Sequence, residues 1–251
     1  MEVDAVKGKM RVDKLLTHMG VGSRKEIKGL AKSGRIAVNG QTVKDSGQQV
    51  DPAADEITVD GRPIVYKEFV YLMMNKPPGV VSATEDNRDR TVIDLLSEEH
   101  ANFQPFPVGR LDKDTVGLLL LTNDGKLSHE LLSPRKHVPK TYYAEVEGDV
   151  DERDVAAFAA GVKLDDGYVT LPAVLTVLER SSDGPNGLSR IELTITEGKF
   201  HQVKRMFLAV GKRVRYLKRV SMGPLKLDPE LGEGSYRELT EEELALLQCR
   251  E

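Results

Sequence analysis

The chain has 251 residues, 39% of them apolar and 30% charged, and a formal net charge of −4, the balance of an ordinary globular protein with room for two domains. No run approaches the roughly 18 apolar residues that a membrane helix needs. The single cysteine, Cys249, excludes an intrachain disulfide and a cysteine-cluster metal site.

The polar start, MEVDAVKGKM, has no secretory apolar region, so a cytoplasmic location is expected, and residues 1–9 read as an extension before the first module. The acidic net charge hides an uneven distribution. Residues 1–50 hold ten Lys and Arg against five acids, and residues 199–219 hold eight basic residues and no acid. Two basic segments on a mildly acidic chain point to a polyanion bound at defined places.

From Val12 the spacing Val12, Leu15, Leu16, Met19 makes one apolar helix face, closed by Gly20. Ser23 and Glu26 form a capping box for a second helix with Ile27, Leu30 and Ala31 facing inward. Asn39-Gly40 between alternating apolar residues predicts a hairpin, because both turn residues take positive φ. Residues 10–60 thus read as a helix-helix-hairpin module whose core is marginal for its size.

The run MRVDKLLTHMGVGSRKEIKGLAKSGRIAVNGQTV resembles the small RNA-binding module named after ribosomal protein S-four, with R-x-D-K, G-S-R and G-R-I-x-V-N-G in order. The resemblance implies that Arg11, Lys14, Arg24, Lys25, Lys32 and Arg35 meet RNA phosphates. Such contacts position an RNA without reading its sequence.

Residues 61–68 read as a linker, and a second domain is expected over 69–240. Its first strand, FVYLMMNKPPGVV, alternates as a half-buried strand and stops at Pro77-Pro78-Gly79. Residues 82–107 read as a partly ordered excursion with a short helix over 91–96. The stretch from Gly109 to Gly125 then sets an Arg, a Leu and an Asp in a Gly-bounded turn before the apolar strand Leu118–Leu121. A strand apolar at every position is covered on both faces, so a carboxylate just upstream, Asp112, sits on a rigid platform. Asp114 is expected to face solvent.

Strands follow over 141–146 and 190–196, with a helix over 151–160 closed by Gly161. A further helix in EGKFHQVKRMFLAVG sets Val203, Met206, Phe207 and Val210 on one face and leaves Lys204 off it. His201 reads equally as a packing residue and as a proton-transfer group. Thr240 and Glu243 cap a C-terminal helix within the tail, 241–251. Strands outnumber helices and connections are hairpin-like, so the expected class is α+β with a mainly antiparallel sheet.

Phosphate-loop, dinucleotide and paired-histidine motifs are all missing, which leaves a carboxylate, a tyrosine pair and a cationic helix beside an RNA-binding module. The runs LMMNKPPGVVS, VGRLDKDTVGLLLLTNDG, SPRKHVPKTYYAEVEG, GVKLDDG, ITEGKFHQVKRMFLAVG and YRELTEEEL, in that order, resemble the pseudouridine synthases, and within them the RsuA-type family acting on 16S ribosomal RNA. That resemblance implies roles: Asp112 as the essential carboxylate, Tyr142 stacking on uracil, Lys204 pairing with Asp112, and Arg110 opening the RNA stack or holding a phosphate. It implies a cytoplasmic monomer acting on ribosomal RNA or a small-subunit assembly intermediate, with no cofactor or metal. Val116 departs from the polar residue that the family commonly has before Gly117.

These roles fit the chemistry. A stacked base must be flipped into a pocket before its glycosidic bond can be broken and remade. An aromatic wall offsets the lost stacking, about 1 to 3 kcal/mol per base. A carboxylate in a closed pocket stays ionised when a cation is in contact with it. Two routes are open to Asp112, attack on the sugar carbon or removal of a sugar proton to give a glycal. The alternatives are a sister synthase acting on 23S rRNA, against which HQVKRMF is closer to the small-subunit type, and a non-catalytic RNA-binding assembly factor, against which Asp112, Tyr142 and Lys204 are all present. A glycosidase using Asp112 and Asp114 is weaker, since two residues of one turn do not flank a substrate.

Overall fold

A computed structural model describes residues 8–181 and 187–248. Most of the expected N-terminal extension, 1–7, and the last residues of the tail, including Cys249, lie outside the described residues. The chain divides into two compact units, one of Met1–Val70 with Leu96–Pro105 and the other of Tyr71–Leu95 with Phe106–Glu251.

In the first unit β1 (Met10–Arg11) leads into α1 (Val12–His18) and α2 (Arg24–Lys32). The Ser23–Glu26 capping box forms at the start of α2. Strand β2 (Ile36–Val38) turns through Asn39 and Gly40, both at positive φ, into β3 (Gln41–Thr42). β4 (Gln49–Val50) pairs with β1, and β5 (Ile57–Val59) pairs with β2. Val12, Leu15, Leu16, Ile27, Ile36 and Ile57 meet in a core.

The expected linker over 61–68 is in part a strand. Asp60 and Gly61, at φ 51° and 75°, make a second two-residue turn that returns β6 (Arg62–Ile64) along β5. Residues 96–105, read as part of an excursion of the second domain, group with the module. They carry α3 (Glu98–Ala101) and Phe103, which is buried and meets the His18 ring edge-on at 5.2 Å.

The second unit is a mixed helix and sheet structure. Its strands are β7 (Tyr71–Lys76), β8 (Phe106–Pro107), β9 (Val116–Thr122), β10 (Lys140–Glu147), β11 (Val174–Glu179), β12 (Leu188–Ile195), β13 (Arg213–Met222), β14 (Leu225–Lys226) and β15 (Tyr236–Glu238). They join in the order β11-β12-β10-β13-β9-β7-β15, with β14 on β13 and β8 on β9. Among the described residues every pairing is antiparallel except β13 with β9.

β9 is buried at every position, as an unbroken apolar run requires. β7, expected to be half buried, is buried from Leu72 to Lys76, because β9 and β15 flank it and both its faces are covered. The helices are α4 (Gly125–Leu132), α5 (Glu152–Ala160), α6 (Gln202–Ala209) and α7 (Glu241–Gln248). Leu127 and Leu131 of α4 and Leu247 of α7 pack with Leu118, Leu120 and Met73. α5 and α6 meet through Phe158 and Phe207, 4.9 Å between ring centres.

Candidate active site

The turn carrying Asp112 is fastened from two sides. Thr115 N donates to Asp112 O at 3.0 Å, and Gly79 N donates to Lys113 O at 2.7 Å. Ser82 Oγ accepts from Leu111 N and donates to Leu111 O, both at 3.1 Å. Beneath the turn lies Lys76, fully buried at the end of β7. Its ammonium donates to the carbonyls of Pro77, Asp112 and Thr115 at 3.1, 3.1 and 2.9 Å. Burial lowers the Lys76 ammonium to about 8, against the opposing pull of the Asp114 and Asp112 carboxylates.

Tyr142 comes from β10, opposite Leu193 on one neighbour and Arg219 on the other, and its side chain is buried. Arg219 replaces an apolar residue at the inner face of β13. It is buried, donates from Nε to Leu118 O at 2.7 Å, and its Nη2 has no hydrogen-bond partner.

Lys204 lies in the first turn of α6, off the face that buries Val203, Met206 and Phe207. The loop before it is tied by Gln202, which accepts from Lys199 N at 2.8 Å and donates to Glu197 at 2.7 Å. From there Lys204 Nζ reaches Asp112 Oδ2 at 2.9 Å and Asp114 Oδ1 at 2.6 Å. Burial works against the Lys204 charge, but its hydrogen bonds to Asp114 and Asp112 outweigh burial and the net shift is upward. Asp114 moves the other way: burial raises it, and the hydrogen bond and charge of Lys204 bring it below the usual carboxylate range. Its side chain is 75% exposed, as expected of a solvent-facing residue, yet it holds the same ammonium as Asp112. His201 Nε2 stands 3.5 Å from the other oxygen of Asp112.

Asp112, Tyr142, Lys204, His201, Arg110 and Arg219 all line one cavity of about 870 Å³, within the range of small-molecule sites. Arg110 is exposed. Among the described residues no group of three His, Cys, Asp or Glu side chains could hold a metal ion. What the cavity offers is an acceptor locked in place by a cation, beside a buried aromatic wall. This arrangement suits a planar heterocycle attached to a sugar and a reaction that begins at a carboxylate.

The basic residues assigned to RNA lie in the other unit. Lys14, Arg24, Lys25 and Lys32 are exposed. Arg11 and Arg35 are exposed too, but each grips a carboxylate of its own module, Asp13 at 2.6 Å and Asp60 at 2.5 Å. Sequence reasoning missed Lys76, Arg219 and the second partner of Lys204. The signal for the first was a lysine ending an apolar strand just before two prolines, and for the second an arginine in phase with Leu217.

A family model described as RNA pseudouridylate synthase matches residues 70–209, and the S4 domain matches residues 10–57. The Bacillus subtilis (strain 168) protein named Uncharacterized RNA pseudouridine synthase YtzG is 56% identical over 238 residues, covering 95% of this chain and 98% of its own. The Escherichia coli (strain K12) protein named Ribosomal small subunit pseudouridine synthase A is 40% identical over 239 residues, 94% of this chain and 99% of its own. A crystal structure of a pseudouridylate synthase superposes with a TM-score of 0.65 at 34% identity, covering 95% of this chain and 99% of that one.

Proposed function

The chain belongs to the RNA pseudouridylate synthase family, and on that premise we propose that it converts a specific uridine of small-subunit (16S) ribosomal RNA to pseudouridine, with Asp112 as the acting carboxylate. One observation carries the assignment of residues: Asp112 and Lys204 are in contact at 2.9 Å in a cavity that Tyr142 also lines. The choice of small-subunit RNA is supported by the 40% identity to relatives named for that subunit over nearly the whole chain.

The target uridine leaves its stack and enters the cavity, where the ring of Tyr142 takes the place of the lost neighbour. Lys204 fixes the direction of Asp112, and the carboxylate acts on the ribose so that the N1–C1′ bond breaks. The freed uracil turns until C5 faces C1′. A C5–C1′ bond forms, the C5 proton leaves, and N1 gains a proton, so the product has the atoms of the substrate. Arg110, exposed at the rim, meets a phosphate of the strand entering the site. Lys14, Arg24, Lys25 and Lys32 hold more distant phosphates, and Arg11 and Arg35 do so after sharing their charge with Asp13 and Asp60. One chain supplies Asp112, Tyr142 and Lys204, so a monomer suffices for the reaction, which takes place in the cytoplasm where ribosomal RNA is made.

Unmodified 16S and 23S transcripts incubated with the protein, then treated with carbodiimide and mapped by primer extension, test the choice of substrate. The expected result is one new stop in 16S RNA and none in 23S RNA. A stop confined to 23S RNA, or none in either, would contradict it.

A further inference from the structure

Phe200 is the most exposed large apolar side chain among the described residues, at 76%. It lies at the wall of the cavity that holds Asp112 and Tyr142. Its ring stacks on the imidazole of His201, centroids 3.8 Å apart and planes 19° from parallel. The imidazole in turn has Nε2 3.5 Å from Asp112. Carboxylate, imidazole and phenyl therefore follow one another outward from the site, and the exposure of Phe200 leaves a ring face open to solvent.

This pose is built into the chain. His201 adopts the left-handed conformation, φ 47° and ψ 34°, which a non-glycine residue adopts at a cost of about 1 to 2 kcal/mol. The strained residue is held by the ties of Gln202 on one side and by Arg205, whose Nη1 donates to Phe200 O at 3.3 Å. Strain kept at a site mouth is a pointer to use. Lys199, which lies over the Tyr168 ring at 4.6 Å, and Arg110 add positive charge to the same cavity wall.

We propose that the Phe200–His201 stack is a seat for the nucleobase next to the flipped uridine in a single-stranded stretch of RNA. It rests on the reading that a uridine enters the cavity. Flipping strips each neighbouring base of one stacking partner, and an open aromatic face at the rim supplies a replacement for one of them. Every base has a flat face, so the seat contributes affinity and register without reading sequence.

Phe200→Leu keeps an apolar side chain and removes the aromatic face, and Phe200→Tyr restores it. Two readouts are compared: tritium release from a 16S transcript carrying [5-³H]uridine, and fluorescence of U-rich RNA 9-mers each with one 2-aminopurine. Phe200→Leu is expected to raise KM about tenfold with kcat within about twofold, and to abolish the fluorescence quenching that wild type and Phe200→Tyr produce. If tritium is released but neither KM nor quenching changes in Phe200→Leu, the seat is refuted and the substrate reading stands. A KM rise with unchanged quenching also refutes it. If wild type releases no tritium while quenching still depends on Phe200, the seat stands and the choice of 16S RNA as substrate falls.

Discussion

Lys204 is shared by two carboxylates, and its ammonium is the cation in contact with the half-buried Asp112, at 2.9 Å. Lys204→Met removes the cation that both carboxylates share. Loss of a preorganised charge of this kind lowers kcat by about 10²- to 10³-fold. Tritium release measures it, with Lys204→Arg expected in between and near-wild-type turnover in Lys204→Met contradicting the role. Lys76 gives a different signature. Its ammonium titrates near 8 when folded, against 10.5 ordinarily, so between those values the unfolded chain binds more protons. The burial penalty is complete below pH 8 and relieved by pH 10.5, so this lysine makes stability rise with pH in that window, by about 3 kcal/mol at the limit. Urea titrations of wild type and Lys76→Met at several pH values from 7 to 10 test this, and parallel curves would contradict it. Asp112, Tyr142 and Lys204 could be singled out from the sequence because each stands in a recognisable motif. Lys76 and the use of Asp114 were not legible, because burial and a shared partner depend on how β7, the turn and α6 come together.

At the scale of elements, the join between β9 and β13 is the narrowest along the order from β11 to β15, paired among the described residues only at Val116–Lys218 and Gly117–Arg219. Gly117 has φ 100°, and a Cβ there would lie 2.3 Å from Arg219 O. Backbone cannot yield as a flexible side chain can, so Gly117→Ala is expected to cost about 3 kcal/mol or more in urea unfolding. A loss under about 0.5 kcal/mol, the scale of a neutral surface change, would show that the strands can part freely. Three capped helices were legible because their signals are local: Ser23–Glu26, Asp151 and Thr240–Glu243 sit where they begin, whereas α4 and α3 were not, although Asp124 and Ser97 cap them. β13 was not, since RVRYLKRV reads as a charge run until its neighbours bury Leu217 and Arg219. β6 is hidden in the sequence although Asp60-Gly61 is a turn signal of the same kind as Asn39-Gly40, because Pro63 interrupts the alternation. Strand order and the parallel join depend on long-range packing that no local window contains.

For the whole molecule, the acidic net charge coexists with a module whose exposed cations are suited to RNA phosphates. Deleting residues 1–60 would remove β5, the partner of β6, and strip Phe103 of His18, so substitutions on the intact chain are the cleaner test. The triple change Lys14→Gln, Arg24→Gln, Lys25→Gln is expected to reduce the slope of log affinity against log salt by about 2, as loss of three phosphate contacts implies. An unchanged slope would place the RNA elsewhere. The central claim is that one carboxylate starts the isomerisation and does little to hold the RNA. Asp112→Asn keeps the size and position of that side chain while removing its charge. Tritium release from [5-³H]uridine-labelled 16S RNA, measured beside filter binding of the same RNA, is the direct measurement: binding within about threefold of wild type and no release above background is the predicted result. Release at the wild-type rate from Asp112→Asn would contradict the account.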